Sequence, residues 1–279
     1  MKNNYIIISS IDWKTSWQTQ HRLAKSLVDD GNKVLFIENT GIRNIKIKDK
    51  SRILSRIKTW KNSTKGFNEV EKNLFVYSPI IFPAPYNKIV SRFNAKQIFK
   101  NIKKWMDTVY YNDPIVISFL PTILNNELLN FLDPQLYIYY AANDFGTQKG
   151  TERILKSEMN TIMKANINFV TSHQILDKIK KFSKENYFFP AAIEEKKFRD
   201  IKGDRPKIFE NLKSPIVGYI GNFTDVFDIK LMKNLIINSP EINFIFIGDL
   251  NFYDKKFSQF KSFKNCFFTG ELYNDLIPL

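Results

Sequence analysis

The chain has 279 residues, 43% of them hydrophobic and 15% aromatic, so it is long enough for two domains and apolar enough to build a core in each. Its one cysteine, Cys266, excludes an internal disulfide and a zinc site of several thiolates, and is typical of a reducing compartment. The net charge of +14 is carried by the part before residue 214 and indicates an anionic partner there.

The first predicted strand, residues 5–9, leads into a loop that is rich in polar and aromatic side chains. The apolar run of this strand ends too soon for a secretory signal peptide, and we expect a cytoplasmic protein. Ligands bind beyond the carboxyl ends of the strands in an open α/β sheet, so the loop and the start of the following helix, 16–29, predict a binding wall. Packing of the histidine against the sheet is the alternative role for that side chain. The residues concerned are Asp12, Trp13, Trp17, Gln18 and His21.

A strongly basic segment follows the second strand, 33–37. Residues 43–65 contain many Lys and Arg residues, and Ile53, Leu54, Ile57 and Trp60 fall on one helical face. This pattern suits a polyanion or an anionic membrane surface, and in the second case the protein would attach peripherally to the inner face of the membrane. A solvated helix in a protein rich in Lys, Asn and Ile is an equally weighted interpretation.

Strand and helix patterns then alternate, which predicts a doubly wound α/β sheet. Further strands are predicted at 74–77, 115–119, 136–140, 168–171 and 187–189, with a long helix over 87–108. Asp144 follows the strand 136–140 and would emerge at the carboxyl edge of the sheet, where its carboxylate could accept a hydrogen bond from a sugar hydroxyl. An Asx turn or a helix cap is the alternative.

A break in the apolar pattern divides the chain into residues 1–190, a linker over 191–213, and residues 214–279. The second part reads as a strand, a glycine turn at Gly221, a helix capped by Asp225 or Asp228, and another strand ending at Gly248. The apolar run 216–220 is predicted to be buried on both faces. The N–H groups at the start of that helix would face the end of the strand, where a phosphate can sit.

The order of these motifs resembles that of GT-B fold glycosyltransferases, in particular the retaining family 4 and its teichuronic-acid-type members that build cell-surface polysaccharides. The resemblance covers nearly the whole chain. It rests on Asp12-Trp13, Trp17-Gln18 and His21 leading to Glu38, on 139–144, on Glu158 ahead of 169–172, on 189–198, and on 217–221 with 246–248.

The resemblance implies two facing Rossmann-like domains, of which the second is incomplete. The first would hold a glycan or lipid-linked acceptor and the second a nucleotide-sugar donor. The two histidines lie in no metal-binding motif, so we expect no protein-bound metal, and no other cofactor is expected. The site residues that follow are Asp144 and His21 as catalytic groups, Asp12, Trp13, Trp17 and Gln18 around the acceptor, Gly221 and Asn222 at the donor diphosphate, and Gly248 with Asp249 elsewhere on the donor side.

Two further expectations follow. The family's donor-side glutamates, spaced E-x7-E, would fall beyond Pro278, so we expect residues 1–279 to be a C-terminally truncated or split transferase with little or no activity alone. The alternative function is a noncatalytic basic protein that binds an anionic membrane or a nucleic acid. Signatures of RNA-binding aromatic sheets are missing, so no nucleic-acid partner is expected.

Overall fold

The computed structural model describes residues 2–15, 17–41, 65–84, 86–146, 152–193, 195–199, 207–209, 212–221, 223, 227–248, 258–270 and 272. It divides into two compact units, Met1–Ala192 and Ile193–Leu279. The predicted basic segment 43–65 lies outside the described residues except for Lys65, and Asn222 and Asp249 lie outside them too.

The first unit is built on one sheet of eight strands in the order β3-β4-β2-β1-β5-β6-β7-β8. All neighbours are parallel except β3 and β4, which form an antiparallel hairpin. The parallel strands therefore run outward from β1 in both directions, which is doubly wound order. The strands are β1 Asn4–Ile8, β2 Lys33–Ile37, β3 Phe67–Glu71, β4 Leu74–Tyr77, β5 Ile115–Ser118, β6 Leu136–Ala141, β7 Ile167–Val170 and β8 Asn186–Phe188.

Helices connect the parallel strands, and side chains at their first turns fix where several of them begin. Asn87, Thr122 and Ser172 each accept a hydrogen bond from a backbone N–H three residues later, which satisfies a donor that the helix itself leaves unpaired. The helices of this unit are α1 Thr19–Asp29, α2 Lys88–Val109, α3 Ile123–Leu132, α4 Glu152–Lys164 and α5 His173–Ile179.

The core of the first unit lies on both faces of the sheet. On one face, residues of α2, α3, α4 and α5 pack against the strands, for example Ile98, Leu128 and Ile175. On the other face, α1 contributes Ala24 and Val28. Burial of these aliphatic side chains holds the strands in register, and the loops at the carboxyl ends of β1 and β6 are thereby set at one edge of the sheet.

The second unit has a parallel sheet of three strands in the order β11-β10-β9. Phe223, Phe244, Phe246, Phe260 and Ile236 form its core. Its elements are α6 Glu195–Arg199, a 3-10 turn Lys207–Phe209, β9 Ile216–Ile220, α7 Ile229–Asn238, β10 Asn243–Ile247, a 3-10 turn Ser258–Ser262 and β11 Cys266–Gly270.

The α/β fold class is confirmed, and one detail of the second sheet is corrected. The run 216–220 is not buried on both faces, because β9 is an edge strand whose Val217 and Ile220 are 45% and 55% exposed. Of the two predicted caps of α7, Asp228 is the one described, and its side chain accepts from the N–H of Leu231 at 2.9 Å.

Candidate functional site

The loop after β1 is held by a buried carboxylate from the end of the neighbouring strand β2. Glu38 accepts the backbone N–H of Trp13 at Oε1, at 2.8 Å, and the hydroxyl of Ser78 at Oε2, at 2.6 Å. Each carboxylate oxygen therefore satisfies one donor, and the loop is tied to both β2 and the end of β4. Sequence reasoning included Glu38 in a motif but did not assign it this positioning role.

His21 lies beneath this loop and is fully buried. Its Nδ1 accepts from the backbone N–H of Gln18 at 3.1 Å, so the ring proton sits on Nε2, which donates to the carbonyl oxygen of Trp13 at 3.1 Å. Burial lowers the pKa of His21, against the raising effect of its hydrogen bonds to the backbone of Trp13 and Asp12. The neutral ring thus joins α1 to the loop, and the structure gives it the contacts of a positioning residue.

Aromatic rings complete this corner of the sheet. The ring of His21 stacks between Trp17, at a centroid distance of 5.7 Å, and Phe36, at 5.4 Å, while Trp13 lies 5.0 Å from His21. Trp17 is 41% exposed, Gln18 is exposed and Asp12 is half-buried. The predicted acceptor residues are therefore brought together, with an indole and an amide presented to solvent above a buried imidazole.

A second cluster follows the carboxyl end of β6, where Asp144 lies in a turn and its side chain is 18% exposed. Its Oδ1 accepts from the backbone N–H of Gly146 and from Lys178 Nζ, both at 2.9 Å. The hydrogen bond from Lys178 lowers the pKa of Asp144, so the carboxylate is ionised at neutral pH. The contact with Gly146 is that of the Asx turn given as the alternative for Asp144.

Lys178, from the last turn of α5, also reaches a buried carboxylate. Its Nζ lies 3.7 Å from Oε2 of Glu158 on α4, and Oε1 of Glu158 accepts the hydroxyl of Tyr139 at 2.9 Å. Burial raises the pKa of Glu158, against the attraction of Lys178. Burial alone would lower the pKa of Lys178, but its two carboxylate partners raise it. Lys178 has no local sequence signal, and sequence reasoning missed it.

The two clusters lie at the same edge of the sheet, though not on adjacent strands. The register aligns Ile8 of β1 with Ser118 of β5, and Ser118 with Tyr139 of β6. From the sequence we would also expect the strands before Asp12 and Asp144 to lie side by side, and this is wrong, because β5 lies between them. Two strand spacings, about 10 Å, separate the ends of β1 and β6.

In the second unit, the glycines at the ends of β9 and β10 lie next to one another. Gly221 and Gly248 have φ angles of +153° and +151°, and a Cβ at Gly248 would overlap the carbonyl oxygen of Gly221. Only glycine fits at residue 248. The helix α7 begins at Ile229, several residues after Gly221, rather than directly at the turn.

Among the residues that the structure describes, no three His, Cys, Asp or Glu side chains form a cluster that could hold a metal ion. No helix in the same part of the chain is both long enough and apolar enough to cross a bilayer.

The fold is shared with solved glycosyltransferase structures. A glycosyltransferase from Rickettsia africae ESF-5 matches with a TM-score of 0.62 at 12% identity over 99% of this chain and 70% of that one. WaaG, a glycosyltransferase involved in lipopolysaccharide biosynthesis, matches with a TM-score of 0.57 at 9% identity over 99% of this chain and 71% of that one. Os79 from O. sativa, in complex with UDP, matches with a TM-score of 0.56 at 8% identity over 95% of this chain and 72% of that one.

No family model and no curated protein sequence matches the chain. At identities this low, the structural likeness establishes the fold alone. The chain has the α/β fold of GT-B glycosyltransferases, as the order of its sequence motifs predicted.

Proposed function

We propose that this chain works as a glycosyltransferase that moves a sugar from a nucleotide-sugar donor to a glycan or lipid-linked acceptor of the cell surface. The observation that carries the proposal is the ionised Asp144, held by Lys178 and Gly146 at the same sheet edge as the loop 9–18. The GT-B fold supports it, because the solved structures compared above that share this fold are glycosyltransferases.

The proposed chemistry needs a positioned acceptor hydroxyl and a stabilised leaving group. Asp144 would accept a hydrogen bond from the hydroxyl and orient its oxygen toward the anomeric carbon. The new bond forms between that oxygen and the anomeric carbon as the bond from carbon to diphosphate breaks, and the acceptor proton passes to the departing diphosphate. No side chain becomes a covalent nucleophile, which suits the retaining family 4 reading proposed from the sequence resemblance.

The remaining site residues are assigned to binding. Asp12, Trp13, Trp17 and Gln18 would line the acceptor side, with the exposed indole of Trp17 available to a sugar ring. His21, assigned from sequence as catalytic, is now proposed to position that wall through its contacts to Gln18 and Trp13.

On the donor side, Gly221 and Asn222 would contact the diphosphate. Gly248 and Asp249 would contact other parts of the donor. No protein-bound metal and no other cofactor is assigned, and the acceptor is proposed to be of the teichuronic-acid type, met at the inner face of the membrane.

Donor binding and transfer can be tested separately. Calorimetric titration of the chain with UDP, GDP and dTDP is expected to show saturable binding of one of them, weakened in Gly221→Val. Failure of all three to bind would contradict the proposal.

Turnover of the matching sugar nucleotide by the full-length protein is expected to fall about a hundredfold in Asp144→Asn while nucleotide binding is kept, since loss of orientation of the reacting hydroxyl costs on that scale. Asp29→Asn, at an exposed ion pair with Lys25, is the matched control and should leave turnover as it is. Equal turnover in Asp144→Asn and the wild type would contradict the assigned role.

A further inference from the structure

The outward face of α2 carries apolar side chains at its start and lysines along the rest of its length. Ile89, Phe93, Lys96, Lys100 and Lys104 follow one another at spacings of four, three, four and four residues, which places them on one side of a helix. All five are exposed, Ile89 by 82% and Phe93 by 49%. The opposite side of the helix supplies Ala95, Ile98 and Ile102 to the core.

A third apolar side chain joins this face from the loop before the helix. Phe82 is 63% exposed, and its ring lies 5.6 Å from that of Phe93. Together with Ile89 the two rings form a contiguous apolar patch on the surface, of the kind that marks interaction sites. We call Phe82, Ile89, Phe93, Lys96, Lys100 and Lys104 the α2 face.

The exposed position of Phe82 is fixed by a buried side chain. Asn94 of α2, only 4% exposed, donates from Nδ2 to the carbonyl oxygen of Phe82 at 2.8 Å and accepts the N–H of Phe82 at 3.0 Å. An amide that satisfies both backbone groups of one residue holds that residue rigidly. The backbone of Phe82 is therefore fixed where its ring is exposed to solvent.

The charge of α2 decides what kind of partner fits. The helix contains one acidic residue, Asp107, which pairs with Lys103 at 3.1 Å. Lys88, Arg92, Lys96, Lys100 and Lys104 add further positive charge, of which Arg92 lies 3.9 Å from Glu127. This combination fits the surface of an anionic bilayer. Lysines can contact the acidic headgroups, and the exposed aromatic and aliphatic side chains can reach the acyl chains beneath them.

We propose that the α2 face docks on an anionic lipid bilayer, with Phe82, Ile89 and Phe93 entering the headgroup region and the lysines contacting acidic headgroups. The inference deepens the proposed function, because a membrane surface would bring the site to lipid-linked acceptors. The residues of the α2 face, 82–104, are different from those of the basic segment 43–65.

The first test measures binding to vesicles of phosphatidylcholine with about one third phosphatidylglycerol, by flotation. Each lysine near such a surface contributes about 1 kcal/mol, so the triple variant Lys96→Glu, Lys100→Glu, Lys104→Glu is expected to bind at least about a hundredfold more weakly. Lys181→Glu, Lys230→Glu, Lys233→Glu changes the net charge equally at other exposed positions and should lose much less. An equal loss in both triple variants would overturn the proposal.

The second test asks whether the apolar residues enter the bilayer. Burial raises the pKa of the Cys266 thiol to about 11, which suppresses its reaction with thiol reagents, so a dye can be directed to Ile89→Cys at neutral pH. Emission from the dye is expected to shift to shorter wavelength on the anionic vesicles, while a dye at Lys181→Cys should show no such shift.

Two results would count against the bilayer: no shift at residue 89, or binding to double-stranded DNA with none to vesicles, which would indicate a soluble polyanion as partner. Both tests are made without nucleotide. Their failure therefore leaves the transferase proposal standing, and failure of the nucleotide titrations leaves this one standing.

Discussion

Lys178 and Asp144 are 34 residues apart in the sequence, yet Nζ of the first lies 2.9 Å from Oδ1 of the second. The same ammonium lies 3.7 Å from Oε2 of Glu158, whose side chain is only 5% exposed. One cation thus contacts two carboxyl groups, one at the sheet edge and one inside the unit. The position of Asp144 at the candidate site therefore depends on α5 as much as on its own loop.

Lys178→Met is expected to lower the free energy of unfolding by about 1–2 kcal/mol at neutral pH, because it leaves the buried carboxylate of Glu158 without a cation. The expected loss is smaller than that for a fully buried ion pair, because the lysine side chain is 38% exposed and its charge is partly screened by water. Urea denaturation followed by circular dichroism measures the free energy of unfolding. Lys181→Met, on the neighbouring surface, should change the value by less than about 0.5 kcal/mol. Equal effects of the two substitutions would contradict the role given to Lys178.

Glu38→Ala is expected to destabilise the first unit by about 2–4 kcal/mol, because the N–H of Trp13 and the hydroxyl of Ser78 both lose their acceptor. Hydrogen exchange at the Trp13 amide should rise well beyond the change in global stability. Glu38→Gln keeps one acceptor oxygen and should lie between the wild type and Glu38→Ala. Unchanged exchange at Trp13 in Glu38→Ala would show that the loop does not depend on this carboxylate.

The stability of the first unit should fall on mild acidification because of His21. Its pKa is lowered from the ordinary value of 6.5 by burial, so the unfolded chain binds the proton at higher pH than the folded chain. Its contribution is complete above about pH 6.5 and is lost as the pH falls through the window below that value. A protonated Nδ1 could no longer accept from Gln18.

Unfolding free energies between about pH 7 and pH 5 measure this effect. The decline should be smaller in His21→Phe, which keeps an aromatic ring but cannot titrate. His173→Phe replaces the chain's other histidine, an exposed ring stacked on Phe188, and should leave the decline in place. The assignment fails if the two variants show the same slope.

Gly248→Ala should be among the most damaging small substitutions in the second unit. The added Cβ would overlap the carbonyl oxygen of Gly221, and the φ of +151° is itself unfavourable for alanine, so a loss of at least about 2 kcal/mol is expected. Gly218→Ala is the control, because nothing lies within 4 Å of its added Cβ. Limited proteolysis of residues 193–279 would compare them, and equal resistance would contradict the close approach of the two strand ends.

Much of the fold was predictable because local patterns of apolar residues indicate most of its strands and helices. All seven strands predicted in the first unit are confirmed, because short apolar runs rich in β-branched residues, such as Ile6–Ile8 and Val34–Ile37, are typical of buried strands. Asp228, one of two predicted caps, is confirmed at the start of α7. The strand β3 was missed because its residues after Phe67 are exposed and carry two glutamates, so no alternating pattern reveals it.

The geometry of the candidate site was less predictable, because it depends on contacts between distant residues. The carboxyl ends of parallel strands lie at one sheet edge, so the sequence could predict that the polar residues after these strands lie there. The ion pair between Lys178 and Asp144 could not be predicted, because neither local sequence indicates it. The burial of His21 was foreseen as an alternative, and only the contacts of its two ring nitrogens distinguish a positioning role from a catalytic one.

The pairing of β1 with both β2 and β5 also bears on how the chain folds as it is made. Tyr5 lies beside Val34 on one side and Ile115 on the other. At ribosomal rates of roughly 5–20 residues per second, the isoleucine-rich strand β1 would wait on the order of 5–20 seconds for its second neighbour. During that interval one apolar strand edge is open to other nascent chains, so yield in cells should depend on chaperones that bind the first hundred or so residues.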